Sequence, residues 1–313
     1  MTAGDAASAE RARRFAATAA AIGCALVLAV IVASAYLRLS QAAPGWSGPV
    51  GLARVVHRLA ASAEALLVVM IAVVCWGARR LWTGGALTAA LIAALTVFLA
   101  LLGIVTADAQ TPAVTLGNLL AGMALLGALW SLRLQARSTV PPAYSTTVFR
   151  MWTGVALLAL QIALGGLVSA HHAAASCATF PACDGEWWPA GVSFALPDPI
   201  TGAASHADSA RRALHMAHRF GAAILFLYWA ALTLSLRSRD RAAAKSAAAV
   251  TAMLLVQGLI GVIVVASGAA VAAAMAHNAW AALTMVAAVS VAFYSGLPRG
   301  AGMSAARHTV TSK

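Results

Sequence analysis

Leu214-His215-Met216-Ala217-His218-Arg219 begins a long apolar run, and it decides the fold because an earlier run begins the same way, with His57-Arg58. Each His-Arg pair is followed about sixty residues later by a matching Asn. His277 of His277-Asn278 lies 59 residues after His218, and Gly117 of Gly117-Asn118 lies 60 after His57. A duplicated helical unit that keeps two histidines in one half and one in the other reads as a two-site metal or haem protein with diverged halves.

Composition sets the solvent. With 62% hydrophobic and 10% charged residues and a mean hydropathy of +0.85, the chain belongs in a bilayer. Eight apolar stretches, 15–37, 52–77, 86–106, 112–132, 149–170, 212–236, 246–267 and 270–295, are each near the ~20 residues that a hydrocarbon core demands. Most are rich in Ala, Leu, Val and Gly, as closely packed membrane helices tend to be. The expected fold is an all-α integral membrane protein of eight transmembrane helices in two pseudo-symmetric four-helix bundles. Four spans return the chain to its starting side, which makes the repeat parallel. The expected organisation is a cytoplasmic tail 1–14, a first half 15–135, a linker 136–148 containing Pro141-Pro142, a second half 149–297 with an outer loop 171–211, and a cytoplasmic tail 298–313.

The net charge of +12 suggests nucleic acid until the basic residues are placed. With the N-terminus inside, 15 of the 21 Lys and Arg fall in cytoplasmic segments, so the positive-inside rule accounts for the excess and nucleic acid is not an expected partner. The other six, Arg38, Arg54, Arg58, Arg211, Arg212 and Arg219, fall at outer helix ends. Residues 11–35 have the look of a signal peptide, with Ala33-Ser34-Ala35 at a cleavage-like position. The duplication argues for a retained helix, because Leu39-Ser40 and Val168-Ser169 end corresponding segments just before a loop leading to a His-Arg helix.

Cys177 and Cys183 lie in the outer loop, where two cysteines six residues apart can close a disulfide. A metal site with His171, His172 and His206 is the weaker reading. Cys24 and Cys75 read as packing residues. An isolated intramembrane histidine is usually a buried, hydrogen-bonded one, but three at duplicated positions reverse that balance. His218 and His277 are placed to meet from opposite sides of one plane, as bis-imidazole haem ligation requires, and neutral imidazole suits a low-dielectric site. Arg58 and Arg219 would then face haem propionates, or else snorkel to headgroups.

At these residues the chain resembles the haem A synthase family. The resemblance covers nearly the whole core and is strongest in Gln161-Ile162-Ala163-Leu164-Gly165-Gly166-Leu167-Val168-Ser169, the Cys177 to Cys183 loop with Phe180-Pro181, Leu214 to Arg219, and His277-Asn278-Ala279. It implies conversion of haem O to haem A for terminal oxidases, a haem b held by His218 and His277, and a first-half site where His57 faces the substrate haem. It also implies a bacterial inner membrane, with both termini cytoplasmic, and as partners haem O, a membrane electron donor and haem O synthase.

The first half departs from the family pattern. Arg54 stands where a carboxylate usually precedes the histidine, Gly117 stands where the second histidine usually lies, and Gln41 to Gly48 lacks the usual cysteine pair. Glycine cannot bind iron. Glu64, seven residues after His57 and on the same helix face, is a mid-bilayer carboxylate suited to proton handling; the structural alternative is a neutral Glu hydrogen-bonded across helices. The leading expectation is a haem A synthase-type oxidoreductase with His57 and Glu64 in the reacting half. The rivals are a non-catalytic haem-binding or electron-transfer membrane protein and, less favoured, a small-solute transporter.

Overall fold

The computed structural model describes residues 3–40, 46–106, 111–138, 140–188 and 207–297. His206, most of the first outer loop, part of the second, and the 298–313 tail lie outside the described residues. The eight helices are α1 (Ala3–Leu39), α2 (Gly48–Gly77), α3 (Thr83–Val105), α4 (Pro112–Arg137), α5 (Thr146–Ala170), α6 (Ala207–Leu236), α7 (Arg241–Ala266) and α8 (Val271–Tyr294). All eight are long and apolar enough to cross a membrane. They start where local chemistry dictates: Thr111, Ser145 and Asp240 accept from the backbone N–H of Val114, Val148 and Ala243, and Pro112 sits where a helix needs no N–H donor.

α1 is the one element that differs much from the sequence expectation. It begins about a dozen residues before the apolar run, because Ala-rich 3–14 continues the helix, with Asp5 in its first turn. Arg13 fastens this extension, donating to the carbonyls of Ser138 (2.8 Å) and Gln135 (3.3 Å) at the end of α4.

Packing follows the repeat. In the first half α1 contacts α2 and α4, and α3 contacts the same two helices; in the second, α5 and α7 each contact α6 and α8. The halves meet through α4, α8, α1 and α5, with the α1–α8 contact answering the α4–α5 contact, as a twofold-like repeat requires. The diagonal pairs α2–α4 and α6–α8 make no backbone contact among the described residues, so each half encloses a slot. α3 and α7 are the least enclosed helices. Their Leu, Ile and Val side chains, such as Leu101, Ile104, Leu259 and Ile263, face outward, as lipid contact favours.

One stripe of α5 explains how its neighbour comes close. Gly154, Leu158, Gln161 and Gly165 recur every three to four residues and present one face to α6. A Cβ on Gly154 would lie 2.6 Å from the fully buried Trp229 ring, so that position admits no side chain.

Candidate functional site

His218 of α6 and His277 of α8 face each other across the second slot. Their ring centroids are 6.3 Å apart with planes at 68°. Two imidazoles binding one metal from opposite sides need about this spacing: a metal–nitrogen bond of about 2 Å and a nitrogen-to-centroid distance of about 1.1 Å, each counted twice, give about 6 Å. Backbones that do not touch and rings at this separation leave room for a flat group between the helices.

The neighbouring helices shape this slot by a repeated device. On α5, Gly165 lies where a Cβ would come within 3.0 Å of the His218 ring; on α7, Gly261 lies where a Cβ would come within 3.3 Å of the His277 ring. Four residues before each glycine stands a glutamine. Gln161 donates to the backbone carbonyl of His218 at 2.9 Å, and Gln257 donates to that of His277 at 3.1 Å. Only Gln161 also reaches its histidine's ring, its side-chain amide lying 2.9 Å from Nδ1 of His218. Nδ1 of His277 is buried without a hydrogen-bond partner among the described residues. Neither glutamine was assigned a role from the sequence, although the repeated spacing Gln161 to Gly165 and Gln257 to Gly261 was there to be read.

Above this slot the outer loop is tied down by α6. Cys177 and Cys183 form a disulfide, as expected, which uses both thiols and removes the metal reading for them. Met216 packs against the disulfide, and Arg212 pairs with Asp184 at 3.3 Å. Arg219 donates from one guanidinium nitrogen to the carbonyls of Thr179, Pro181 and Ala182 at 2.9, 3.1 and 3.2 Å, and from the other to Cys177 at 3.3 Å. Arg212, Met216 and Arg219 recur at helical spacing, so one face of α6 grips the loop. Arg219 is thus held by the loop, and its Nε is buried without a hydrogen-bond partner among the described residues.

Just outside the membrane, at the end of α5, His171 is buried below that loop. Burial, then the neighbouring His172 and Arg211, push its pKa below the usual histidine value.

The first half presents a different picture. His57 is partly buried on α2; at the position on α4 that matches His277 stands Gly117, where an added Cβ would meet the Leu102 side chain at 3.2 Å. Arg58 lies over the Trp46 ring at 4.5 Å, a cation–π contact at the outer end of α2. Glu64 is 3% exposed, and neither of its oxygens has a hydrogen-bond partner among the described residues. The cross-helix hydrogen bond that would have made it structural is not there. Instead Gly23 of α1 lies against it, a Cβ there falling 3.1 Å from one carboxylate oxygen and 3.2 Å from the other.

Comparison with known proteins agrees with this layout. Residues 50–289 match the family model described as cytochrome oxidase assembly protein (COX15-CtaA). The chain is also similar to a protein of Shewanella oneidensis named heme A synthase, 28% identical over a match covering 85% of this chain and 92% of that one.

Proposed function

Because the chain belongs to the cytochrome oxidase assembly protein family, the family to which its haem A synthase resemblance pointed, we propose that it is a haem A synthase-type membrane oxidoreductase. In this reading it converts haem O to haem A by oxidising a porphyrin methyl group, and a haem b in the second half serves as its electron-transfer cofactor. The observation that carries the proposal is the 6.3 Å spacing of the His218 and His277 rings across a slot whose backbones stand apart.

The residues present fit a bis-imidazole haem. Two half-buried imidazoles face one another, and both rings have glycines beside them where a side chain would crowd the ring. When bound, the group would supply one-electron transfer. His218 and His277 would hold it, and Arg219, one residue after His218, would supply positive charge near its carboxylates. In the first half, His57 faces substrate haem O and Arg58 supplies positive charge near its carboxylates. Glu64, buried and without a hydrogen bond, takes or gives a proton near the substrate edge. Gly117, at the position that matches His277, would give the substrate no nitrogen ligand.

The name and the near full-length coverage of the Shewanella oneidensis relative support the catalytic reading over the electron-transfer rival. The site of action is the bacterial inner membrane with both termini cytoplasmic. Haem O synthase supplies the substrate, and a membrane electron donor is the redox partner of haem b.

The test is haem extraction from cells that express this chain together with haem O synthase. Haem A or its hydroxylated precursor is expected. Haem B alone identifies the non-catalytic rival, and absence of all haem from the purified protein ends the haem reading.

A further inference from the structure

We propose that the seam between the two halves holds one acyl chain of an anionic phospholipid, in a groove that α3, α4 and α5 open to the bilayer.

The groove measures about 300 Å³ and has the buried Met285 and Val289 of α8 at its floor. Its walls run from Leu120 to Ser131 on α4 and from Ile162 to Trp152 on α5, 11 and 10 residues apart, so it extends about 15 to 16 Å along the helices. That is the hydrocarbon depth of one leaflet, half of a core about 30 Å thick. Small residues on α4, Ala124, Gly127 and Ala128, give the groove its depth. A Cβ on Gly127 meets nothing within 4 Å, so no neighbouring helix requires a glycine there. The repeat register that sets Gly117 against His277 sets Ala124 against Thr284. Thr284 is fully buried and Ala124 is exposed, so this seam is open at a position where its counterpart is packed.

An empty groove of this size forfeits dispersion contacts along its whole length. Water is a poor filler, because Ser131 carries the one hydroxyl among the lining side chains. A hydrocarbon chain restores the contacts, and a polyprenyl tail longer than one leaflet does not fit within the groove's length.

The two ends of the groove differ, and the difference selects the headgroup. Ser131 and Trp152 stand at the end nearer the α4–α5 connection. One turn beyond Ser131, Gln135 donates to Thr88 of α3 at 3.0 Å, which brings the start of α3 to the same end. Each of the three helices that open onto the groove has an exposed arginine here: Arg80 just before α3, Arg137 at the end of α4 and Arg150 at the start of α5. None of the three is in an ion pair among the described residues. α3, α4, α5 and α8 contain no Asp or Glu. A phosphate whose headgroup carries no balancing cation is the complement of such a rim. In the orientation proposed above, the lipid belongs to the cytoplasmic leaflet.

Native mass spectrometry of the full-length protein in detergent tests this, with phosphatidylglycerol, phosphatidylcholine and an isoprenoid quinone as probes. The wild type is expected to keep one phosphatidylglycerol in preference to phosphatidylcholine. Gly127→Leu and Ala124→Leu each put a side chain into the groove and remove that adduct. Arg80→Gln, Arg137→Gln and Arg150→Gln together weaken phosphatidylglycerol binding at least fivefold, about the worth of one cation beside an anionic headgroup, and leave phosphatidylcholine binding unchanged.

Retention of the phosphatidylglycerol adduct in the groove-filling variants puts the lipid elsewhere and overturns the proposal. Equal binding of the two phospholipids, or no effect of the arginine substitutions, overturns the anionic headgroup and the proposal with it. Displacement of phosphatidylglycerol by an equal concentration of the quinone assigns the groove to an isoprenoid and overturns the proposal as well. Ala124 is exposed, so Ala124→Leu adds its side chain at a lipid-facing position and decides the question if Gly127→Leu fails to accumulate. The readout needs no bound haem and is independent of the activity proposed above.

Discussion

The two halves share a helix order and a packing plan, yet only one is built around a pair. In the second half, two histidines face each other, two glycines clear space for their rings, and two glutamines tie down their backbones. In the first half, the register of Gly103 with Gly261 puts Leu99 where Gln257 stands, and the register of Leu39-Ser40 with Val168-Ser169 puts Val32 where Gln161 stands. Gly117 stands at the position that matches His277. In the proposed reading the paired half would hold a cofactor, whereas a site that admits and releases a substrate is better served without a second ligand. The contrast teaches that duplication supplied the slot, and that a few side chains on its walls decide whether it holds a cofactor.

The contrast breaks most visibly at the histidines. His218→Ala or His277→Ala is expected to abolish the low-spin b-type spectrum of the purified protein, while His57→Ala leaves it intact. Loss of the signal in His57→Ala with retention in His277→Ala would reverse the assignment of the halves.

Glu64 sharpens the same contrast from the other side. Its buried oxygens have no protein hydrogen bond to lose, so Glu64→Gln removes a titratable proton at little packing cost. Haem A yield in cells supplied with haem O is expected to fall by about two orders of magnitude or more, the usual worth of a positioned acid or base, with haem b content unchanged. An unchanged haem A yield removes Glu64 from the chemistry.

The glycines give a smaller effect. A methyl on Gly165 would sit 3.0 Å from His218, and one on Gly261 would sit 3.3 Å from His277. Gly165→Ala should lower haem b occupancy several-fold, and Gly261→Ala by less, measured as haem per protein after purification. Gly103→Ala in the first half, where nothing lies within 4 Å of the added carbon, should change nothing in that measurement. Equal losses in all three variants would mean that the glycines serve helix packing rather than the rings.

Much of this was legible in the sequence because apolar length and duplication are strong signals. The eight spans, the His218 and His277 pair, and the Cys177 to Cys183 disulfide all follow from them. What stayed hidden depends on which groups meet. Residues 3–14 continue α1 without apolar periodicity, so a hydropathy reading starts the helix too late. The partners of Arg219 are carbonyls about forty residues earlier in the chain, in a loop whose course no pattern reveals. That Glu64 lacks a hydrogen bond, and that Gln161 reaches a ring while Gln257 reaches only backbone, are facts of distance between helices.

The smallest expected effect separates the outer ends of the halves by pH. His171 is buried beneath the disulfide loop, and burial, His172 and Arg211 hold its pKa below the ordinary value of 6.5. A loop that opens exposes the ring and lets it take up a proton at that ordinary value, whereas the closed loop resists protonation until lower pH. The open form therefore binds more protons below pH 6.5, and closure weakens as pH falls through 6.5 toward the depressed value, while above 6.5 it is unaffected. Limited trypsin digestion reads this out, with cleavage at Arg211 and Arg212 reporting on the second half and cleavage at Arg54 and Arg58 on the first. The ratio of the two cancels the pH dependence of the protease itself. Between pH 7.5 and about pH 5.5, the ratio should rise in favour of Arg211 and Arg212 in the wild type and stay level in His171→Asn. A wild-type ratio that does not change with pH would show that His171 carries no part of the loop's closure.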